Sequence, residues 1–193
     1  IRDRAWAPTY EGTVVDVMDL RLLARLTGVA WSGAARVLDL ACGTGRIGAW
    51  LAGRGASRID GVDLTPAMLE RAHAKSVYER LVEASILDTG LEACAYDLIT
   101  QSLACEHLPD LAPLYREVAR LLAPGGTFVI VGYHPFFLMG GVPTHFDRAP
   151  GDGRVAIGAS ERRVDGERGI QVAALRGELR LEQVFFDSLL TLF

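Results

Sequence analysis

Arg36 to Ile47 read RVLDLACGTGRI, an apolar run that ends in a turn built from small residues. From Val37 to Ala41 the apolar side chains come almost without interruption, the pattern of a strand buried on both faces. Gly43 and Gly45 then allow a sharp turn and a close approach to a ligand where a Cβ would intrude. From Arg46 to Leu51 apolar residues recur at helical spacing, so the turn opens a helix whose first N–H groups face whatever lies above the strand.

The fingerprint is Asp39-x-Ala41-x-Gly43-x-Gly45, which differs from the dinucleotide pattern Gly-x-Gly-x-x-Gly in spacing and in its leading acid. A carboxylate below the turn repels a pyrophosphate and attracts an ammonium group. The stretch therefore resembles motif I of the class I S-adenosylmethionine-dependent methyltransferases, in the variant DLACGTG, although a Gly-rich turn after a strand is common in other α/β proteins.

Downstream residues extend the resemblance. Residues 57–63, SRIDGVD, predict a second strand that ends on Asp63, 18 residues beyond Gly45, where an acid accepts hydrogen bonds from ribose hydroxyls. Asp60 is the competing carboxylate, but strand alternation turns it to the other face and only Asp63 lies at the carboxyl end. Thr65 reads as the N-cap and Pro66 as the first residue of the next helix. The string GVDLTPxML is similar to methyltransferase motif II, which implies that Leu64 and Met68 flank adenine; core packing is the competing role for Met68.

Residues 81–86 read as the third strand, with Ser85 and Ile86 beside the adenine. The family usually places Asp where Ser85 stands, so this chain departs from the pattern; a hydroxyl accepts the adenine amino bond more weakly. Asp88 is near enough to substitute, or serves the turn at Thr89-Gly90. Residues 96–103 form the fourth strand and its loop, similar to motif IV. That implies contacts from Gln101 and Ser102 to the methionine part of the cofactor, and a place for His107 near the transferred methyl. His107 equally suits packing against the helix start before Pro109, and Cys105 reads as a small buried residue. An amphipathic helix over 111–122 is followed by Ala123-Pro124-Gly125-Gly126 and a fifth strand over 127–132; LLxPGGxF is a signature of the same family.

The two ends are read more loosely. Val14 to Leu26 carry apolar residues at helical spacing, which predicts an amphipathic helix. With the WAPTY stretch before it this forms an N-terminal helical lid over 1–33, in which the resemblance implies that Tyr10 lines the cofactor; an anchoring role for Trp6 and Tyr10 is the alternative. Residues 133–169 form a substrate-side loop and a mobile connection. Tyr133, Phe136, Phe137 and Met139 suit an acceptor pocket, and His134 and His145 supply acid or base chemistry, unless the loop simply packs over the sheet edge. No third ligand stands at a spacing that would make His134 and His145 a metal site. Residues 180–186 and 189–193 predict an antiparallel pair that finishes the sheet, joined at Asp187-Ser188 by a tight turn or across an omitted segment.

The totals set outer bounds. With 193 residues the length suggests a single domain over 1–193. A net charge of −4 lacks the basic surplus of a nucleic-acid binder. Three cysteines without Cys-x-x-Cys spacing suggest a reducing compartment and neither a disulfide framework nor zinc. No apolar run approaches the roughly 20 residues of a membrane span. Residues 1–20 carry no signal-peptide pattern, so a cytoplasmic location is expected. The start at Ile1 reads as trimmed or as preceded by a disordered stretch.

Together these readings give an α/β fold of the Rossmann-like class I methyltransferase type, a mostly parallel twisted sheet with an antiparallel final strand and helices on both faces. The resemblance implies methyl transfer from S-adenosyl-L-methionine, leaving S-adenosyl-L-homocysteine, to an O, N or C atom of a small-molecule acceptor. Two other readings stand beside it: an S-adenosylmethionine-binding cyclase or lyase, and a non-catalytic binding protein on the same fold. The oligomeric state is open, a homodimer included.

Overall fold

The computed structural model describes residues 15–133, 170–176 and 180–184. The Val37–Leu40 run forms β1, buried along its whole length, and every other element is placed around it. β2 (Ile59–Asp63), β3 (Arg80–Glu83), β4 (Tyr96–Ser102) and β5 (Leu122–Tyr133) run parallel to it; β6 (Ile170–Arg176) is antiparallel to β5, and β7 (Arg180–Val184) antiparallel to β6. The seven strands stand in the order β3-β2-β1-β4-β5-β6-β7. The helices are α1 (Val15–Arg25), α2 (Arg46–Gly53), α3 (Pro66–Ala74) and α4 (Ala112–Leu121).

Strand alternation divides the core into two layers. Val37, Ile59, Leu98, Val129 and Val131 point to one face and pack with Leu22 and Leu23 of α1 and Ile47 and Leu51 of α2. Leu38, Leu40, Val62, Ile99, Phe128 and Ile130 point to the other, against Leu114, Val118 and Leu121 of α4. Each fully buried aliphatic contributes about 1.5–3 kcal/mol relative to exposure, so both faces must be covered for β1 to form at all.

Several expectations shift. The third strand stops at Glu83, and Ser85 lies beyond it in a tight turn: its Oγ accepts the Leu87 N–H at 3.2 Å, and its carbonyl accepts from Asp88. Thr65 is the N-cap residue of α3, but its hydroxyl makes no capping bond. The return at Ala123-Pro124-Gly125-Gly126 lies inside β5, where the register against β4 shifts between Tyr96 and Leu98. A Cβ on Gly126 would stand 2.9 Å from the Ala123 carbonyl oxygen and 3.0 Å from that of Tyr96, so only glycine fits that bulge. Ile170–Arg176 pairs antiparallel with Arg180–Val184, a strand inside the stretch read over 180–186; its expected partner over 189–193 lies outside the described residues. Among the described residues the antiparallel strand is thus the sixth, and the seventh turns back parallel to the first five. Cys105 is half-buried rather than buried, and none of Cys42, Cys94 and Cys105 forms a disulfide.

Tyr10, His134, Phe136, Phe137, Met139, His145, residues 149–169 and the Asp187-Ser188 join lie outside the described residues. Of Tyr133 only the backbone, at the end of β5, is described.

Candidate functional site

The strand order reverses between β1 and β4, and in open α/β sheets ligands bind outside the carboxyl ends of the strands at such a switch point. Two residues that are not glycine take left-handed backbone there: Ala41 after β1 and Leu103 after β4, each at φ 54°. That conformation costs an L-residue roughly 1–2 kcal/mol, and strain of this kind gathers at functional turns. Between them the glycine turn runs through Gly43 (φ 54°) and Gly45 (φ 84°), tied to β2 by the Cys42 N–H on the Val62 carbonyl at 2.9 Å.

Asp63 holds this turn from the side. Its Oδ2 accepts the Gly43 N–H at 2.9 Å and its Oδ1 the Thr65 N–H at 2.8 Å, so one half-exposed carboxylate joins the motif I turn to the start of α3. Asp63 thus fixes the backbone N–H of the N-cap residue, although the Thr65 hydroxyl itself caps no N–H of the helix. Leu64, next in sequence, is 68% exposed, an open apolar side chain beside the acid. Met68 is 5% exposed and belongs to the protein interior, so of the two residues expected at adenine only Leu64 stands open.

Asp39 is not an open anion. It is 1% exposed, and its carboxylate accepts from the Tyr78 hydroxyl at 2.8 Å and from Thr100 Oγ1 at 3.1 Å. Burial raises its pKa to about 6, against the opposing pull of those hydroxyls. The sign follows from linkage. The fold favours the protonated acid, so the stability Asp39 contributes is fully present below the unfolded value of 3.8 and is lost as pH rises through about 6. The difference is about 2–3 kcal/mol. Urea unfolding of wild type and Asp39→Asn across pH 4–7.5 should show the asparagine variant gaining that amount relative to wild type as pH rises; a constant gap would contradict the assignment.

Tyr78, in the link between α3 and β3, lies across three glycines. A Cβ on Gly45 would stand 3.0 Å from its Cε2, one on Gly61 2.9 Å from its Cε1, and one on Gly48 would overlap its hydroxyl and Cζ. Gly48→Ala should therefore destabilise the protein by about 1–3 kcal/mol, although alanine is the better helix former by about 1 kcal/mol. Gly53→Ala, with nothing within 4 Å of its Cβ, should be neutral or stabilising in the same denaturation series.

On the α1 side, Asp19 is 0% exposed and receives both guanidinium nitrogens of Arg46 and the Ser102 hydroxyl, the latter at 2.6 Å. Ser102, expected at the methionine part, thus links β4 to α1. Gln101, 1% exposed, accepts the Ala104 N–H at 2.7 Å and the Cys105 N–H at 3.1 Å in the amide orientation its neighbours require, and so shapes the loop rather than lining it. His107 ends the short 3-10 turn Cys105–His107 and is exposed. Asp60 lies away from the turn, accepting from Arg36, Arg80 and the Tyr96 hydroxyl. Sequence reasoning missed Asp19 and Tyr78. Asp19 had a signal, because it precedes Leu22 and Leu23 by three and four residues and so shares their apolar face. Tyr78 had none in its own neighbourhood.

The turn suits S-adenosylmethionine. Among the described residues nothing lies within 4 Å of a Cβ on Gly43, so its face is open to a ligand, and the Thr44 hydroxyl in the same turn is buried without a hydrogen-bond partner. No group of three or more His, Cys, Asp or Glu able to hold a metal occurs among the described residues, and no helix among them is long and apolar enough to cross a membrane.

Comparison with known proteins agrees with this geometry. Residues 38–130 match the family described as "Methyltransferase domain". Those residues resemble that family, and the chain shares the Rossmann-like fold of S-adenosylmethionine-dependent methyltransferases of known structure.

Among curated proteins, the chain is 31% identical to the chloroplastic tocopherol O-methyltransferase of Arabidopsis thaliana, over 50% of this chain and 29% of that one. It is 32% identical to the demethylmenaquinone methyltransferase of Thermus thermophilus, over 61% and 56%. Among solved structures, an S-adenosylmethionine-dependent methyltransferase from Mesorhizobium loti aligns with TM-score 0.55 and 33% identity, over 68% of this chain and 59% of that one. A DhpI–SAH complex aligns with TM-score 0.58 and 27% identity, over 70% and 67%. The chain spans between 29% and 56% of the length of these two curated relatives.

Proposed function

We propose that this chain transfers a methyl group from S-adenosylmethionine to an O, N or C atom of a small metabolite. The observation that carries the reading is Asp63 at the end of β2, bonded to the Gly43 N–H with the open side chain of Leu64 beside it. In this reading Asp63 receives the ribose hydroxyls, Leu64 covers one face of adenine, and Ser85 and Ile86 lie along its edge. Ser85 offers its remaining hydroxyl capacity to the adenine amino group while holding Leu87. The turn from Ala41 to Gly45 faces the methionine part, and Asp39 below it supplies a negative field for the ammonium group. Gln101 and Ser102 act indirectly, by setting the loop after β4. Tyr10 closes the site as part of an N-terminal lid.

When bound, S-adenosylmethionine supplies a methyl group on a positively charged sulfur, already electrophilic toward an in-line nucleophile. The protein's own contribution is chiefly to hold donor and acceptor at near-attack distance, an effect able to supply several kcal/mol. A base is needed only for an acceptor whose proton has a high pKa, and His107, His134 and His145 are the candidates. Tyr133, Phe136, Phe137 and Met139 wall the acceptor. The acceptors named for the relatives, tocopherol and demethylmenaquinone among them, are small molecules. The net charge of −4 argues against nucleic acid, and the cysteine pattern favours the cytoplasm.

Calorimetric titration with S-adenosylhomocysteine should give saturable one-site binding, and incubation with S-adenosylmethionine and a panel of small acceptors should give the demethylated cofactor. Absence of binding would overturn the cofactor assignment. Binding without product across the panel would shift the chain to a donor-binding protein that does not transfer methyl.

A further inference from the structure

Tyr78 is placed where an ordinary core residue would not be. Its ring lies against the glycine turn at Gly45, the first turn of α2 at Gly48 and the middle of β2 at Gly61, and it fits because none of the three carries a Cβ. Its hydroxyl reaches through this gap to Asp39 at 2.8 Å. A ring that only filled space needs no hydroxyl at that point, and a carboxylate that only capped a turn would not be buried under one. Resting on the donor-binding reading above, we propose that Tyr78 is a positioning residue of the donor site: its ring sets the seat of the glycine turn, and its hydroxyl holds the Asp39 carboxylate oriented beneath the donor's ammonium group.

The groups that face Asp39 bear on how this is read. From β4 comes the Thr100 hydroxyl at 3.1 Å; from α2 come the Gly48 N–H and the Arg46 guanidinium, both of which favour the charged form. From the turn comes Cys42, whose thiol is pushed up chiefly by burial and further by Asp39 and Asp63. Arg46 is itself held by Asp19 of α1. Tyr78 is the donor that comes from outside the strand-turn-helix unit and its neighbouring strand, and its hydrogen bond is the largest of the influences that keep Asp39 ionised against burial.

The test titrates S-adenosylhomocysteine into wild type and Tyr78→Phe by calorimetry from pH 5 to 8.5, with circular dichroism on both. Wild-type affinity should rise as pH climbs through the titration of Asp39. Tyr78→Phe keeps the ring in its glycine channel and should fold. Its affinity near pH 7.5 should fall roughly tenfold, the worth of one hydrogen bond to a charged group, and the midpoint of its affinity–pH curve should move upward. A lower melting temperature with unchanged affinity and midpoint would overturn the proposal and leave donor binding intact. Failure of wild type to bind at any pH would overturn the donor-binding reading and the proposal with it. Should Tyr78→Phe not fold, Thr100→Val, which removes the other hydroxyl from the same carboxylate, is read in its place. The midpoint should again move upward, and an unmoved midpoint would overturn the role given to Asp39 and so to Tyr78.

Discussion

Asp19→Ala is expected to lower the unfolding free energy by about 3 kcal/mol, at the low end of what removing one partner of a buried ion pair costs. Asp19 is 0% exposed and Arg46 is 17% exposed at its side chain, so the deletion leaves a mostly buried guanidinium without its carboxylate. The Ser102 hydroxyl loses its acceptor as well. Residual access of Arg46 to water keeps the cost from reaching the upper end of about 5 kcal/mol. Asp19→Asn, which preserves the shape and one oxygen acceptor, should lose about half as much. Urea denaturation at pH 7 with an unchanged m-value is the measurement. A loss below about 1 kcal/mol for Asp19→Ala would mean that the contact is a surface-like pair with little net worth. The same three residues join α1, the start of α2 and the end of β4, so the variant should also loosen the glycine turn that Arg46 follows.

Asp63→Ala is expected to weaken S-adenosylhomocysteine binding by about 100-fold or more. Its carboxylate accepts two backbone N–H groups, from Gly43 at 2.9 Å and Thr65 at 2.8 Å. Hydrogen bonds to a charged acceptor contribute about 1.5–3 kcal/mol each, and a factor of ten in affinity corresponds to about 1.4 kcal/mol. Losing even the pair's lower value lets the turn and the start of α3 part from one another, and the ribose hydroxyls lose their acceptor in the same stroke. Asp63→Asn retains one oxygen and should fall between the two. Calorimetric titration with circular dichroism as a folding control reads the effect. A loss of less than tenfold in a folded Asp63→Ala protein would place the ribose elsewhere.

The centre of the fold was legible because its signals are local. The apolar run of β1, the glycines after it, and the Thr65-Pro66 helix start 20 and 21 residues beyond Gly45 each declare themselves within a few residues, and the structure places all of them where that reading put them. What failed depended on hydrogen bonds that residue type alone does not announce, some local and some far along the chain. Thr65 looked like a side-chain cap until Asp63, two residues back, proved to hold its N–H. Ser85 looked like a strand residue, but the strand ends at Glu83 and its hydroxyl turns back to Leu87.

The two hydroxyls that hold Asp39 were not legible because nothing near it in sequence announces Tyr78, 39 residues away, or Thr100, 61 away. The strand over 170–176 was passed over because it follows the polar stretch from 149 to 169, while the apolar run over 180–186 was the more conspicuous signal. The alternation of Ile170, Val172 and Ala174, and Gly177 beyond it, mark that strand. The glycines themselves were read for their freedom at a ligand. Gly45, Gly48 and Gly61 serve equally to admit a tyrosine ring, a function invisible until the chain is folded.

The central claim is that the turn from Asp39 to Gly45, clasped by Asp63, binds the adenosyl donor of a methyl transfer. Titration of the wild-type protein with S-adenosylhomocysteine at pH 7.5, followed by heat, tests it most directly. One saturable site, with the affinity lost in Asp63→Ala, is the predicted result; no binding, or the same affinity in both proteins, would contradict it.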